Sequence, residues 1–175
     1  MSQDRFFFDC EGNMKKHTIK CPLPLIASFS VKGEQITEVS LSLNSLNNFQ
    51  WEIDSLNNKL IDQIALWLED YCAKKPSKSS LNIDLSGIPS FTKQILHELK
   101  QIPFGHHLTY KDLAIKASNE KASRAVGNAC GRNPCPLIIP CHRVLAAGGK
   151  LGGFSSGLEI KRLLLDHENN EYSKT

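Results

Sequence analysis

The sequence predicts an α+β protein of two small domains: a strand-rich α/β domain over residues 1–87, then a helical domain with a helix-turn-helix over residues 88–175. Three observations lead there. Apolar residues between 19 and 43 are patterned as strands around a hairpin signal, Lys32-Gly33-Glu34. Beyond residue 90 the apolar spacing becomes helical. Between the two regimes stands Ser86-Gly87-Ile88-Pro89, a turn-forming boundary.

The elements follow in order. Leu23, Leu25, Ile26, Phe29 and Val31 place strand structure in 19–31, and 36–43 forms the returning strand. Residues 45–50 read as a polar loop. Leu60, Ile61, Ile64, Leu66, Trp67, Leu68 and Tyr71 recur at helical spacing and predict a helix over 55–73. A Lys/Ser/Pro connector, 74–80, leads to a last short strand at 81–85. In the second half, Ile95, Leu96 and Leu99 predict a helix over 91–101, broken by Phe104-Gly105. Thr109 is placed as the N-cap of a helix over 110–117. Ser118-Asn119 turns the chain into a helix over 120–130 that stops at Gly131; two short helices about a tight turn form the helix-turn-helix candidate. Turn-rich Asn133-Pro134-Cys135-Pro136 and the apolar run Leu137-Ile138-Ile139 feed Pro140-Cys141-His142-Arg143. A glycine-rich loop over 148–157 precedes a helix over 158–168.

With 175 residues and 41% hydrophobic content, the chain can bury a core, which excludes long disorder and collagen-like repeats. No apolar run approaches the roughly 20 residues of a membrane helix. Phe6-Phe7-Phe8 is hemmed in by Asp4, Arg5, Asp9 and Glu11, so no secretory signal is expected. The six cysteines contain no CxxC pair and are expected to be reduced thiols in a cytoplasmic protein. Cys10, His17 and Cys21 lie close in sequence, but their spacing matches no zinc pattern and a fourth ligand is missing, so no metal is expected.

Charge divides the chain unevenly. Residues 1–90 hold 9 Lys/Arg against 11 Asp/Glu, and residues 100–162 hold 10 against 3. A basic second half points to an anionic partner, most simply nucleic acid. A solvated surface accounts for the same charges.

Cys141 is the thiol in the most reactive setting. Pro140 fixes one dihedral before it. His142 offers a base, acting directly or through one water, and Arg143 adds positive charge unless its side chain points elsewhere; together these favour thiolate. A buried structural cysteine is the plain alternative.

The surrounding residues carry a resemblance. Phe104-Gly105 with Thr109-Tyr110, Ser123-Arg124-Ala125-Val126-Gly127, Arg132-Asn133-Pro134, Ile139-Pro140-Cys141-His142-Arg143-Val144, and Gly152-Gly153-Phe154-Ser155-Ser156-Gly157-Leu158 with Lys161 and Glu168 occur in order. Over residues 91–168 this resembles the methylated-DNA–protein-cysteine methyltransferases, or O6-alkylguanine-DNA alkyltransferases. The resemblance implies a ribonuclease H-like first domain and a winged-helix-like second one. It implies a monomer that binds double-stranded DNA in the minor groove, flips out O6-alkylguanine, chiefly O6-methylguanine, and moves the alkyl group irreversibly to its own cysteine, once per molecule. No cofactor is implied.

Carried over residue by residue, Cys141 is the acceptor, His142 its base through water, and Glu168 the carboxylate orienting His142. Tyr110 gives a proton toward the leaving guanine. Asn133 braces the active-site turn. Arg124 is the finger filling the space of the extruded base. Thr92, Tyr110, Lys111, Asn119, Ala122 and Ala147 fall at DNA-contact positions, although alanine at 147 lacks the hydroxyl often found there. Val144, Phe154, Ser155 and Ser156 fall on the guanine pocket. Phe154 replaces a usual tyrosine and Ser156 a usual glycine, which bears on the size of alkyl group accepted. The rival class is a noncatalytic module that binds alkylated DNA and recruits other repair factors; its members lack the motif cysteine.

Overall fold

The computed structural model describes residues 16–77, 79–169 and 171–173. The chain divides between Asp84 and Leu85 into two compact units. It is a mixed α+β protein.

The first unit holds a four-stranded sheet in the order β1-β4-β2-β3: β1 His17–Ile19, β2 Leu25–Lys32, β3 Gln35–Leu43 and β4 Phe49–Ile53. β2 and β3 form an antiparallel hairpin pairing Lys32 with Gln35 around Gly33-Glu34. Gly33 takes φ 63°, a left-handed value that glycine adopts without a Cβ penalty. β4 runs parallel to β2 and antiparallel to β1. It corrects the expected polar loop over 45–50: Phe49, Trp51 and Ile53 alternate buried with half-buried Gln50 and Glu52. Pro22 and Pro24 separate β1 from β2, since a proline gives no ladder N–H. The expected strand at 81–85 reduces to one parallel bridge, Ile36 to Ile83. Helix α1, Asn58–Cys72, is capped by Asn57, whose side chain accepts the Leu60 N–H, and buries Leu60, Ile61, Ile64, Leu68 and Tyr71 on one face.

His17 stacks on Trp51 with ring centroids 4.4 Å apart, and the Cys21 and Cys72 thiols lie near each other. Cys10 lies outside the described residues. No helix among the described residues is long and apolar enough to cross a membrane.

The second unit is mostly helical: α2 Ser90–Lys100, α3 Tyr110–Lys116, α4 Ser123–Gly131 and α5 Leu158–His167. Thr109 caps α3 in a full capping box: its hydroxyl accepts the Asp112 N–H, and Asp112 accepts the Thr109 N–H at 2.8 Å. The expected helix over 120–130 is split. Glu120–Ala122 is a 3-10 helix and α4 begins at Ser123. Helices α2 and α3 both pack on α4. Ile95, Leu96, Leu99, Leu113, Val126, Ala129, Leu164 and Leu165 form the buried interior.

One short pairing positions everything that follows. β5, Leu108–Thr109, lies parallel to β6, Val144–Leu145. It sets the first turn of α3 beside the segment that follows Cys141.

Candidate active site

Cys141 opens a 3-10 helix, Cys141–Arg143. Pro140 before it has φ −81° and ψ 63°, and the Cys141 N–H donates to Ile139 O at 2.8 Å. That is an inverse γ-turn, which fixes the direction in which the thiol leaves the backbone. The turn ahead of it is braced by one side chain. Asn133 accepts the Cys135 N–H at 3.1 Å and donates to Ile139 O at 2.8 Å and to the Cys141 sulfur at 3.0 Å. Within the braced turn Leu137 is held at φ 76°, a strained value for a bulky side chain.

Cys141 is 4% exposed. Burial pushes its thiol upward; the Asn133 N–H and the Lys161 charge pull it back. An N–H aimed at sulfur favours the thiolate over the thiol.

His142 is fully buried, and its Nε2 lies 2.8 Å from Glu168 Oε1. Burial lowers the imidazole pKa against the pull of Glu168, so the ring is neutral near neutral pH. Burial pushes the Glu168 carboxyl up, but the hydrogen bonds and charges of His142 and Arg143 outweigh it and hold it well below the usual carboxylate range. An ionised carboxylate only accepts, so Nε2 carries the ring proton and donates. Nδ1 is then left with a lone pair, and this buried atom has no hydrogen-bond partner among the described residues. The side chain bonded to the thiol is Asn133, not His142, so the direct contact between base and thiol is not made.

Arg143 departs from its expected role. Its guanidinium turns to Glu168, with Nε to Oε2 at 2.8 Å and an Nη to Oε1 at 2.9 Å, and its other Nη donates to Ile102 O at 2.6 Å. The fork geometry of a guanidinium matches a carboxylate better than a thiol, so the charge serves the acid rather than the nucleophile. Phe104 lies against the guanidinium, 5.8 Å from its ring centre, and the Gly105 N–H reaches Glu168 Oε2 at 3.4 Å. Glu168 itself caps α5 and is 2% exposed, not a solvated helix end.

Lys161 was matched in sequence without a role. It is 0% exposed and donates to the carbonyls of Val144, Leu151 and Gly153. A lysine in register with Ile160, Leu164 and Leu165 on the buried face of a helix was the available signal.

Cys141 opens on a pocket of about 120 Å3. Tyr110, Gly127, Cys130, Gly131, Gly153, Phe154 and Ser155 complete its lining. Burial raises the Tyr110 pKa, with Cys130 adding to the effect, so the phenol keeps its proton at neutral pH. Gly152, at φ 65°, leaves no room for a side chain: a Cβ would sit 3.0 Å from the Tyr110 hydroxyl. Phe154 meets His142 edge-on at 6.5 Å. The other two expected wall residues, Val144 and Ser156, stand beside this lining. Val144 is fully buried in the β5–β6 pairing with its carbonyl taken by Lys161. Ser156 follows the lining residue Ser155, in a turn closed by Gly157 N–H to Phe154 O at 3.0 Å.

The expected DNA-contact residues are distributed as follows. Arg124, Lys111, Asn119 and Ala147 are exposed, and Ala122 is half-buried. Lys111 meets Glu120 at 3.6 Å. Thr92, on α2, is 4% exposed, so little of it is open to a partner.

Residues 90–170 match the family model described as 6-O-methylguanine DNA methyltransferase, DNA binding domain. The methylated-DNA–protein-cysteine methyltransferase of Methanosarcina barkeri is 42% identical over 114 residues, 65% of this chain and 72% of that protein. The one from Methanosarcina mazei is 36% identical over 159 residues, 90% of this chain and 98% of its own. Among solved structures, Mycobacterium tuberculosis OGT in complex with DNA superposes with a TM-score of 0.65 at 29% identity, covering 88% of this chain and 92% of that one. With this likeness running through the Cys141 segment, the pocket and the Glu168 cap, the chain belongs to the methylated-DNA–protein-cysteine methyltransferase family.

Proposed function

We propose that the protein repairs DNA by direct reversal, taking the alkyl group of O6-alkylguanine, chiefly O6-methylguanine, onto Cys141. The observation carrying this reading is a buried thiol in the lining of a pocket of about 120 Å3. Beside it stands an imidazole whose far nitrogen is fixed by an ionised Glu168. In the reaction, the Cys141 proton passes through a water to His142 Nδ1. The thiolate attacks the alkyl carbon, the C–S bond forms and the C–O bond to guanine breaks. Tyr110 supplies a proton to the leaving guanine, and Asn133 keeps the sulfur aimed. The product thioether has no good leaving group for water to displace, so each molecule acts once.

A base inside the duplex stack cannot reach a thiol this buried, so the lesion must be flipped out, at a cost of a few kcal/mol. Exposed Arg124, at the first turn of α4, is suited to fill the vacated space. Its small neighbours Ala122, Ser123 and Ala125 allow α4 to approach the minor-groove walls. Lys111, Asn119 and Ala147 lie open to the DNA backbone, and Thr92, near the start of α2, adds what little of its surface is exposed. Phe154 and Ser155 face the extruded base, and Val144 backs that wall.

In this reading the chain has two domains, 1–87 and 88–175, the first ribonuclease H-like and the second winged-helix-like with α3 and α4 as its helix-turn-helix. It works as a monomer in the cytoplasm. The described cysteines are thiols, which suits a reducing compartment.

The test is intact mass after incubation with a duplex carrying one O6-methylguanine, followed by peptide mapping. One added methyl on Cys141, saturating at one per protein and absent in Cys141→Ser, is the expected result. Lesion binding without any mass change would transfer the assignment to a noncatalytic binding module.

A further inference from the structure

Lys161 is a buried ammonium that the steps above leave unused. Its three protons meet three carbonyls: Val144 O at 2.6 Å, Leu151 O at a very short separation, and Gly153 O at 3.3 Å. Val144 belongs to the segment following Cys141; Leu151 and Gly153 belong to the glycine-rich wall. Lysine therefore ties the nucleophile's strand to the pocket wall across three acceptors.

The Gly153 peptide has a second side. While its carbonyl takes Lys161, its N–H side faces the phenol oxygen of Tyr110. Gly152 lies against the same hydroxyl. The contacts thus run from Lys161 through one peptide group to the proton donor.

We propose that Lys161 is a positioning residue for alkyl transfer, fixing the Gly153 peptide so that the Tyr110 hydroxyl is held over the pocket that Cys141 opens on. The inference rests on the reading of Cys141 as acceptor and Tyr110 as donor. A neutral amine has two protons for the three carbonyls, so the tie loosens when the ammonium deprotonates. Burial brings that step down to about pH 8, opposed by Cys141 and Cys130. His142 is the other titrating group that feels the lysine charge.

A competing role exists for the same charge, which also favours the Cys141 thiolate. The two roles separate by leaving group. Guanine departs with a proton; iodide departs without one. Single-turnover transfer from an O6-methylguanine duplex and direct methylation of Cys141 by methyl iodide are measured for the wild type, Lys161→Met, Tyr110→Phe and the double variant.

Lys161→Met is expected to slow transfer from DNA roughly 10- to 100-fold, a fraction of what general-acid catalysis supplies, with the methyl iodide rate within about twofold of wild type. In the Tyr110→Phe background the lysine change should cost little more. Losses that multiply in the double variant, a parallel fall in both reactions, or an unchanged DNA rate would each overturn the proposal. Should the variant not fold, the wild type carries the test. The ratio of the DNA rate to the methyl iodide rate at the same pH should fall above about pH 8, and a flat ratio overturns it. A wild type that takes no methyl from DNA would instead overturn the assignment of Cys141.

Discussion

The Asn133 amide donates to the Cys141 sulfur at 3.0 Å and to Ile139 O at 2.8 Å, so one side chain holds both the nucleophile and the backbone before it. Asn133→Ala takes the amide donor from that carbonyl, which keeps only the Cys141 N–H, takes the amide acceptor from the buried Cys135 N–H, and removes the N–H aimed at the sulfur. Stability should drop by about 1–3 kcal/mol in urea unfolding. Single-turnover transfer should slow at least about 10-fold, as a charge-favouring bond of this kind is lost. A rate close to wild type would remove Asn133 from the reaction and leave it a turn brace.

Arg143 and Glu168 form a buried fork-to-fork ion pair. Arg143→Met removes the guanidinium from a carboxylate that stays buried beside His142 and the Gly105 N–H. The loss should be about 3–5 kcal/mol, the range for breaking one side of a buried pair. Arg143→Lys should recover only part of it, because an ammonium cannot present two parallel N–H groups. A loss below about 1 kcal/mol would mean that the pair is compensated elsewhere.

Glu168 makes an acid-stability prediction whose sign is fixed. Its folded-state pKa is depressed, so its contribution is fully present above the unfolded carboxylate value, about 4.3. That contribution is lost as the pH falls from there toward the folded value. Wild-type stability should therefore decline below about pH 4 more steeply than that of Glu168→Gln. Parallel pH profiles in the two proteins would contradict it.

Arg124 and Lys111 should fail differently on DNA. Lys111→Ala should weaken binding to undamaged and lesion duplexes alike, and reduce the slope of log K against log salt by about 1. Arg124→Ala should cost more in transfer rate than in affinity for undamaged duplex. The fluorescence of 2-aminopurine beside the lesion reports the lost flipping. Equal losses would make Arg124 a phosphate contact.

The helices of the second unit were legible because their signals are local. Thr109 and Asp112 write a capping box three residues apart, and α5 shows its buried face at helical spacing. In the first unit, the β2–β3 hairpin was legible from Gly33 and the flanking alternation. β4 was missed, although Phe49, Trp51 and Ile53 alternate, because the Asn-rich run before it dominates the local reading. Its partner β2 is some twenty residues earlier, and parallel pairing leaves no turn to read. Around Cys141, the motif marked Cys141, His142 and Glu168, and the structure brings the last two within hydrogen-bond distance. The motif did not disclose that Arg143 serves Glu168, nor that Lys161 spends its charge on three carbonyls. Both depend on where a long side chain goes once buried, and only packing decides that.

Glu168 sits one residue beyond α5, yet it receives His142, Arg143 and the Gly105 N–H. Order of synthesis acquires a meaning from this. A ribosome-bound chain halted before α5 already carries Cys141 and His142. It lacks the acid that sets the imidazole tautomer and the lysine that ties the wall. The turn that carries Cys141 is thus complete in covalent terms before its chemistry is, and the packing of α5 on that turn supplies the rest.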